Sequence, residues 1–163
     1  MPFHLKIEGI EEVSKMLADM EDAAHAVAAK GLYKGAGIMA EAINKSAQSI
    51  ITAPFKWAST RRGETRLPSP EEKAIVTGTS AGIATFEGGG AEVNTSVGYQ
   101  YSGYATLAGR VKPVPLIVAA IESGTSFMNK SAFFRKAVNG GGKRAAAAIK
   151  QFIEDEYEKM GKA

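Results

Sequence analysis

The chain has 163 residues, of which 45% are apolar, and this size and composition fit a single domain over residues 1–163 with a sizeable core. Its net charge of +3 is too small to imply nucleic-acid binding by itself, and the absence of cysteine excludes disulfides, thiolate metal sites and cysteine nucleophiles. Because no apolar run approaches the roughly 20 residues that span a bilayer and the N-terminus has no apolar signal core, we expect a protein made in the cytoplasm without membrane contact.

The first third of the chain predicts one strand and two helices. Apolar and polar residues alternate over residues 3–7, which indicates a strand with one buried face. Apolar residues at helical spacing follow over residues 13–20, and residues 22–51 are rich in alanine and contain no proline, so a short helix and a long central helix are predicted. Three glycines inside the long helix predict either a close approach of another backbone or a kink: Gly31, Gly35 and Gly37.

The segment from Phe55 to Glu72 has no clear period and is predicted to be a mobile arm, either a long exposed loop or an extended hairpin. Its aromatic and arginine side chains are the residue types enriched in subunit interfaces. They are also compatible with contact to a nucleic-acid backbone, or with a loop that binds nothing. The candidate interface residues are Phe55, Trp57, Arg61, Arg62 and Arg66.

Short strands are predicted next, at residues 73–79, 83–87 and 92–99, with an antiparallel sheet as their natural product. A last buried strand is predicted at residues 116–121, and a closing helix from about Ser131 to Met160. The order of helices and strands places the chain in the α+β class. We expect a small antiparallel sheet packed against the long central helix and the C-terminal helix.

Residues Gly78–Gly82 match the G-x-S-x-G pattern that presents a nucleophilic serine on a turn between strand and helix. That arrangement needs a histidine after Ser80, whereas His4 and His25 both precede it. No helical pattern follows Gly82 either. A glycine-rich turn is the better interpretation.

Residues 140–144 are similar to the end of a phosphate-binding loop, but Ala137 stands where the first glycine belongs and Arg144 where Ser or Thr would bind magnesium. A break in the last helix at residues 140–142 is predicted instead. Metal chemistry would need clustered carboxylates or histidines, and the aspartates are few and scattered. The sequence therefore predicts no catalytic residue, no cofactor, no metal site and no enzyme.

Positive charge is concentrated in residues 110–144, where seven basic residues stand against Glu122 alone. Such a stretch indicates either a solvated face or a surface that meets a polyanion or an acidic subunit. With the arginines of residues 55–72, it supports a small nucleic-acid-binding protein as the alternative function.

Three passages resemble the tail-completion, or head-tail joining, family of long non-contractile-tailed bacteriophages, which includes the lambda Z-type minor tail protein. Leu5–Val13 is similar to the family's first strand, glycine and helix, and Asn44–Ala47 followed by Ala53–Pro54 is similar to the end of its central helix. The most specific likeness lies in Ala120–Ser126 and Ala132–Ala137. The signature residues carried over are Glu122, Gly124, Thr125, Phe133, Phe134 and Arg135.

The resemblance implies a structural protein of a phage or prophage virion that is located in the neck of the tail. It implies a ring, of six subunits, at the head-proximal end of the tail, with the head-completion protein and the major tail protein as neighbours. DNA would pass through the lumen without sequence-specific binding. A ring subunit needs adhesive edges, and short strands that pair across a subunit boundary would supply them.

Overall fold

The computed structural model describes residues 23–54, 64–79, 81–83, 95 and 97–162. The predicted first strand and short helix lie outside the described residues. Within them the chain forms four helices and four short strands, which confirms the α+β class. In chain order these are α1 (Ala23–Gln48), α2 (Pro70–Thr77), β1 (Gly82–Ile83), β2 (Val97–Gly98), β3 (Tyr104–Leu107), β4 (Arg110–Pro113), α3 (Val114–Ser123) and α4 (Phe133–Gly161).

The two long helices, α1 and α4, pack against each other in antiparallel directions and form the body of the fold. Gly31 and Gly35 of α1 face Ile153 and Ile149 of α4, so that a Cβ atom at Gly31 would lie 3.2 Å from Ile153 Cγ1. The close approach is therefore the correct interpretation of these two glycines. A Cβ atom at Gly37 would meet no atom within 4 Å.

Helix α4 continues without interruption through residues 140–142, so the predicted break is wrong. Gly141 lies against α1, where a Cβ atom would be 3.0 Å from Ala42 Cβ and 3.2 Å from Met39 Sδ. A glycine in a helix costs about 1 kcal/mol against alanine. At Gly141 this cost is offset by the close packing that the absence of a side chain permits.

The main core lies where α1 and the start of α4 meet α2, α3 and the strands. Its most deeply buried side chains come from three different helices: Met39, Ile43, Val76 and Ile121. Full burial of each such side chain stabilises the fold by roughly 1.5–3 kcal/mol. A second, smaller cluster continues along the two long helices through Val27, Ile149 and Ile153.

The strands form two antiparallel pairs. β1 pairs with β2, and β3 pairs with β4 so that Leu107 stands opposite Arg110. The loop of the second pair is only Ala108-Gly109, with φ angles of 49° and 75°. Two positive φ angles are what a two-residue hairpin loop of type I′ requires, so this hairpin has a fixed register.

Two predicted strands are helices. Residues 73–79 belong largely to α2, because Ser69 and Glu72 form a reciprocal capping box that starts a helix at Pro70. Residues 116–121 belong to α3, in which Ile117, Val118 and Ile121 are buried. Those positions, at i, i+1 and i+4, share one side of a helix, so the run buries a helical stripe rather than both faces of a strand.

Candidate assembly surfaces

Glu122, at the end of α3, fastens the start of α4. Its Oε2 accepts a hydrogen bond from the Phe134 N–H at 3.0 Å, and its Oε1 accepts one from the Arg135 N–H at 3.1 Å. The first N–H groups of a helix have no partner within the helix, and a carboxylate there also interacts favourably with the helix dipole. The signature glutamate is thus a helix cap supplied from another element.

The turn between α3 and α4 depends on Gly124, whose φ is 76°. A Cβ atom there would lie 2.9 Å from the Lys130 backbone nitrogen, so both the backbone angle and the space require glycine. Phe133 and Phe134 are buried in the core, whereas Thr125 and Arg135 are exposed. The structure thus brings all six signature residues to one junction, four of them in packing or capping roles.

Of the predicted arm residues, Phe55, Trp57, Arg61 and Arg62 lie outside the described residues. Arg66 is described, and the expectation of an exposed contact residue is wrong for it. Its guanidinium forms two hydrogen bonds of 2.7 Å to the Glu72 carboxylate, and only 7% of its side chain is exposed. A buried bidentate pair of this kind leaves the Arg66 guanidinium without access to another chain.

The Glu72 carboxylate accepts the two hydrogen bonds that hold the Arg66 guanidinium in the protein interior. Burial alone would raise the pKa of the Glu72 carboxyl, but hydrogen bonds from Arg66 and from the Ser69 N–H outweigh burial and hold that pKa below its usual value. The same carboxylate therefore caps α2 and neutralises a buried arginine.

The segment that carries Arg66 is held to the body of the fold on both sides. The Arg66 N–H donates to the Phe127 carbonyl at 2.9 Å, and the Asn129 N–H donates to the Arg66 carbonyl at 2.8 Å. The Ala53 N–H donates to the Pro68 carbonyl at 2.9 Å. Residues 64–72, the second part of the predicted arm, are thus packed on the fold.

Exposed apolar side chains lie on the β3–β4 hairpin and at the start of α3, and we call them the hairpin face. Its large side chains, Tyr104, Val111 and Leu116, are 75%, 69% and 65% exposed. In the hairpin register Thr106 and Val111 form a pair that does not exchange hydrogen bonds, so their backbone N–H and C=O groups point away from the hairpin. No other strand of the described chain pairs with either edge. Such a surface is suited to contact with another chain.

A cavity of about 140 Å³ lies between the end of α1 and the start of α4, and we call it the α1–α4 cavity. Its charged lining residues are Lys130 and Lys136, and no carboxylate lines it. Ser46 Oγ, at its edge, donates to the Phe133 carbonyl at 2.6 Å. The full lining is Ser46, Ser49, Ile50, Ile51, Leu67, Asn129, Lys130, Ser131, Phe133 and Lys136.

All seven basic side chains of residues 110–144 are exposed. Within the described part of the chain, Lys130 and Lys136 form no ion pair, whereas the lysines near the end of α4 pair with glutamates. Positive charge is therefore free at the start of α4 and balanced at its end. The exposed cations are Arg110, Lys112, Lys130, Arg135, Lys136, Lys143 and Arg144.

Two polar side chains with structural roles escaped the sequence reasoning. Asn44 Oδ1 accepts hydrogen bonds from the Ala81 N–H at 2.7 Å and from the Tyr99 hydroxyl at 3.1 Å, and so ties α1 to the β1–β2 pair. Glu72 was also missed, although the spacing Ser69-x-x-Glu72 is a capping-box signal that could have found it.

The described residues bring no catalytic constellation together. His25 is exposed on α1, while His4 and Ser80 lie outside the described residues. Among the residues that the structure covers, no three His, Cys, Asp or Glu side chains are grouped as metal ligands, and no helix is long and apolar enough to cross a membrane. Comparison of the chain with protein-family models, curated proteins and solved structures gives no match. The exposed surfaces are therefore the features from which a function can be argued.

Proposed function

We propose that this chain is a non-enzymatic structural subunit of a phage or prophage virion that completes the tail and joins it to the head. In this role copies assemble into a ring, of six subunits as the family resemblance implies, at the head-proximal end of the tail. The head-completion protein and the major tail protein are its neighbours, and DNA passes through the lumen. A modest net charge suits such a conduit, because tight phosphate contacts would retain the DNA.

The observation that carries this proposal is the hairpin face. It presents three large apolar side chains and open strand edges on a hairpin with a fixed register. Exposed apolar side chains and open strand edges do not stabilise a monomer. Natural proteins usually cover such an edge or place charged side chains on it. In the proposed role, assembly buries the hairpin face against a neighbouring virion protein.

The capping role of Glu122 also supports the proposal. The residues that resemble the family signature are adjacent in space and depend on one another, since Glu122 binds the N–H groups of Phe134 and Arg135. The six residues lie within 14 positions of the sequence, and the cap gives the glutamate among them a physical role. Their convergence gives the signature a physical reason, namely a fixed angle between α3 and α4.

The test is complementation in a phage or prophage that carries the gene. Deletion should yield filled heads and free tails by electron microscopy, and the wild-type chain should restore joined particles. Val111→Asp, which places a charge in the hairpin face, should fail to restore them, while Asn139→Asp, the matched control on the exposed side of α4, should succeed. Circular dichroism confirms that both variants fold. Normal joined particles after deletion would refute the role.

The alternative function, nucleic-acid binding, is favoured by one observation, the exposure of all seven basic side chains between residues 110 and 144. Fluorescence anisotropy with duplex DNA over a salt series decides between the two functions. Tight binding with a steep salt dependence supports a nucleic-acid-binding protein, and no binding near physiological salt rejects it.

A further inference from the structure

The lining of the α1–α4 cavity combines apolar side chains with hydroxyl groups and two positive charges. Ile50, Leu67 and Phe133 supply apolar lining, and Lys130 and Lys136 supply the charge. A cavity of about 150 Å³ lined by apolar side chains is large enough to admit a benzene ring. At about 140 Å³ this cavity is of the size that one aromatic ring requires. Its chemistry selects an aromatic side chain accompanied by carboxylates.

The opposite end of α4 carries that chemistry on its surface. Tyr157 is 42% exposed, and Glu154 and Glu158 are exposed on either side of it. Positions 154, 157 and 158 stand at i, i+3 and i+4, so the three side chains share one face of the helix. We call these three residues the α4 tip.

We propose that the α4 tip of one copy docks into the α1–α4 cavity of the next copy. Tyr157 enters the cavity, and Glu154 and Glu158 face Lys130 and Lys136 of the neighbour. This inference rests on the proposed ring and names the contact between its successive subunits. Charge complementarity is its basis, since both charged residues that line the cavity are lysines and the α4 tip presents two carboxylates that are held only in exposed pairs.

The present partners of the two glutamates do not oppose docking. Glu154 lies 3.9 Å from Lys150, and Glu158 lies 3.6 Å from Lys162, with all four side chains at least 61% exposed. Exposed pairs within one helix contribute little and exchange readily with other partners. A cation held at a cavity with no competing carboxylate is a better partner for either glutamate.

The location of the two surfaces determines the kind of assembly. Lys136 and Tyr157 are separated by 21 residues of one continuous helix, which is about 32 Å along its axis. The cavity and the α4 tip are therefore different patches, and their contact is heterologous. Such a contact adds subunits head to tail and generates a ring when the rotation between copies closes.

Charge reversal tests the contact in solution. Lys130→Glu/Lys136→Glu reverses the charge of the cavity. Glu154→Lys/Glu158→Lys reverses the charge of the α4 tip. Each double variant should associate at least about tenfold more weakly than wild type, because like charges then face each other. Combining all four substitutions should restore assembly. Lys143→Glu/Arg144→Glu, an equal charge change elsewhere on α4, should assemble as wild type does.

Mixing the two double variants gives the sharper result. In an equimolar mixture the unchanged α4 tip of one variant meets the unchanged cavity of the other, and the reversed tip meets the reversed cavity, so the two variants should assemble in alternation, as measured by analytical ultracentrifugation. An isologous contact, or loss of folding in either variant, would not produce this outcome. A mixture that stays as dissociated as either variant alone would overturn the proposal.

A disulfide test uses the absence of cysteine from the natural chain. The variant Asn129→Cys/Gly161→Cys keeps Tyr157 and both cavity lysines. It cannot close a bond within one copy, because its two positions lie near opposite ends of α4 and a disulfide requires Cα atoms no more than about 7 Å apart. Oxidation should give a ladder of dimers, trimers and larger species on a denaturing gel. Neither single cysteine variant should give more than a dimer. Absence of the ladder at the highest soluble concentration, with both thiols reactive, would overturn the contact.

These outcomes separate the contact from the virion role. If the wild-type chain forms rings that all the charge variants also form, the subunit contact lies elsewhere and the ring survives. If the mixed variants assemble together but deletion of the gene leaves joined particles, the contact stands and the role in tail completion falls.

Discussion

Replacing Arg66 by methionine should be one of the most destabilising single changes in the described part of the chain. The substitution keeps an apolar stem of similar length but removes both hydrogen bonds to Glu72, whose side chain is only 4% exposed. The Glu72 carboxylate would keep one donor, the Ser69 N–H at 2.8 Å, and lose the guanidinium charge, with Lys112 as the remaining cation that lowers its pKa. An unpaired carboxylate would then be buried beside the first turn of α2.

The expected loss is about 3–5 kcal/mol, the usual cost of removing one partner from a buried ion pair. Since a domain is stable by only about 5–15 kcal/mol, this is a large fraction of the total. For a chain of this length each kcal/mol lowers Tm by about 2–4 °C, so a shift of roughly 6–20 °C is expected. The double variant Arg66→Met/Glu72→Leu should recover most of the loss, because it leaves no buried charge.

The loss should also depend on pH, with a sign that follows from the pKa of Glu72. In the wild type that pKa is lowered, so the pair's contribution is fully present above the ordinary carboxyl pKa and is lost as pH falls through the lowered value. In Arg66→Met only the Ser69 N–H and Lys112 still oppose the effect of burial, so the Glu72 pKa is higher than in the wild type and acid relieves the penalty by protonating the carboxyl. The stability difference between the two proteins should therefore narrow as pH falls from 7 towards 4.

Urea unfolding followed by circular dichroism at several pH values measures both effects. Comparable m-values would show that the variants unfold from similarly compact states. A loss below about 1 kcal/mol, which is the range of an exposed pair, would refute the reasoning from burial. So would a difference from wild type that widens in acid.

Three further outcomes follow from the structure. Glu122→Ala should lower the free energy of unfolding by about 1–2 kcal/mol in urea titration, because two helix N–H groups lose their acceptor, and an unchanged midpoint would contradict the capping role. Gly35→Ala should lower the free energy of unfolding by about 1–3 kcal/mol, since its Cβ would lie 2.5 Å from Ile149 Cγ1. Gly37→Ala, which has open space around it, should raise the free energy of unfolding by up to about 1 kcal/mol. Equal Tm shifts in the two variants would argue against the close helix contact. In anisotropy titrations any DNA binding should be weak and should vanish with salt, and nanomolar affinity at physiological salt would instead favour the nucleic-acid alternative.

The long helices were predictable because their signals are long. Residues 22–51 and the stripe of Ile149, Ile153 and their neighbours span many turns, so periodicity identifies them without help from the rest of the fold. The short apolar run at 116–121 has no such length, and a buried strand and a buried helix give the same composition over six residues. Its helical state is decided by which side chains meet the core.

The candidate surfaces were less predictable than the helices. Arg66 lies in a stretch of arginines and aromatics that favoured an exposed contact, and only the fold shows that a glutamate six residues later buries it. The α1–α4 cavity brings together residues from positions 46 to 136. No local pattern in the sequence records such a meeting, since it depends on how α1, α4 and two loops pack.

The glycines between α1 and α4 are arranged reciprocally. Gly35 of α1 receives Ile149 of α4, and Gly141 of α4 receives Met39 of α1. If either helix moved along its axis relative to the other, Ile149 and Met39 would leave the spaces at Gly35 and Gly141 and collide with larger neighbouring residues. The two helices should therefore resist sliding and move as one rigid unit. A force applied at one end of the helix pair would reach the other end without being absorbed by sliding of one helix along the other.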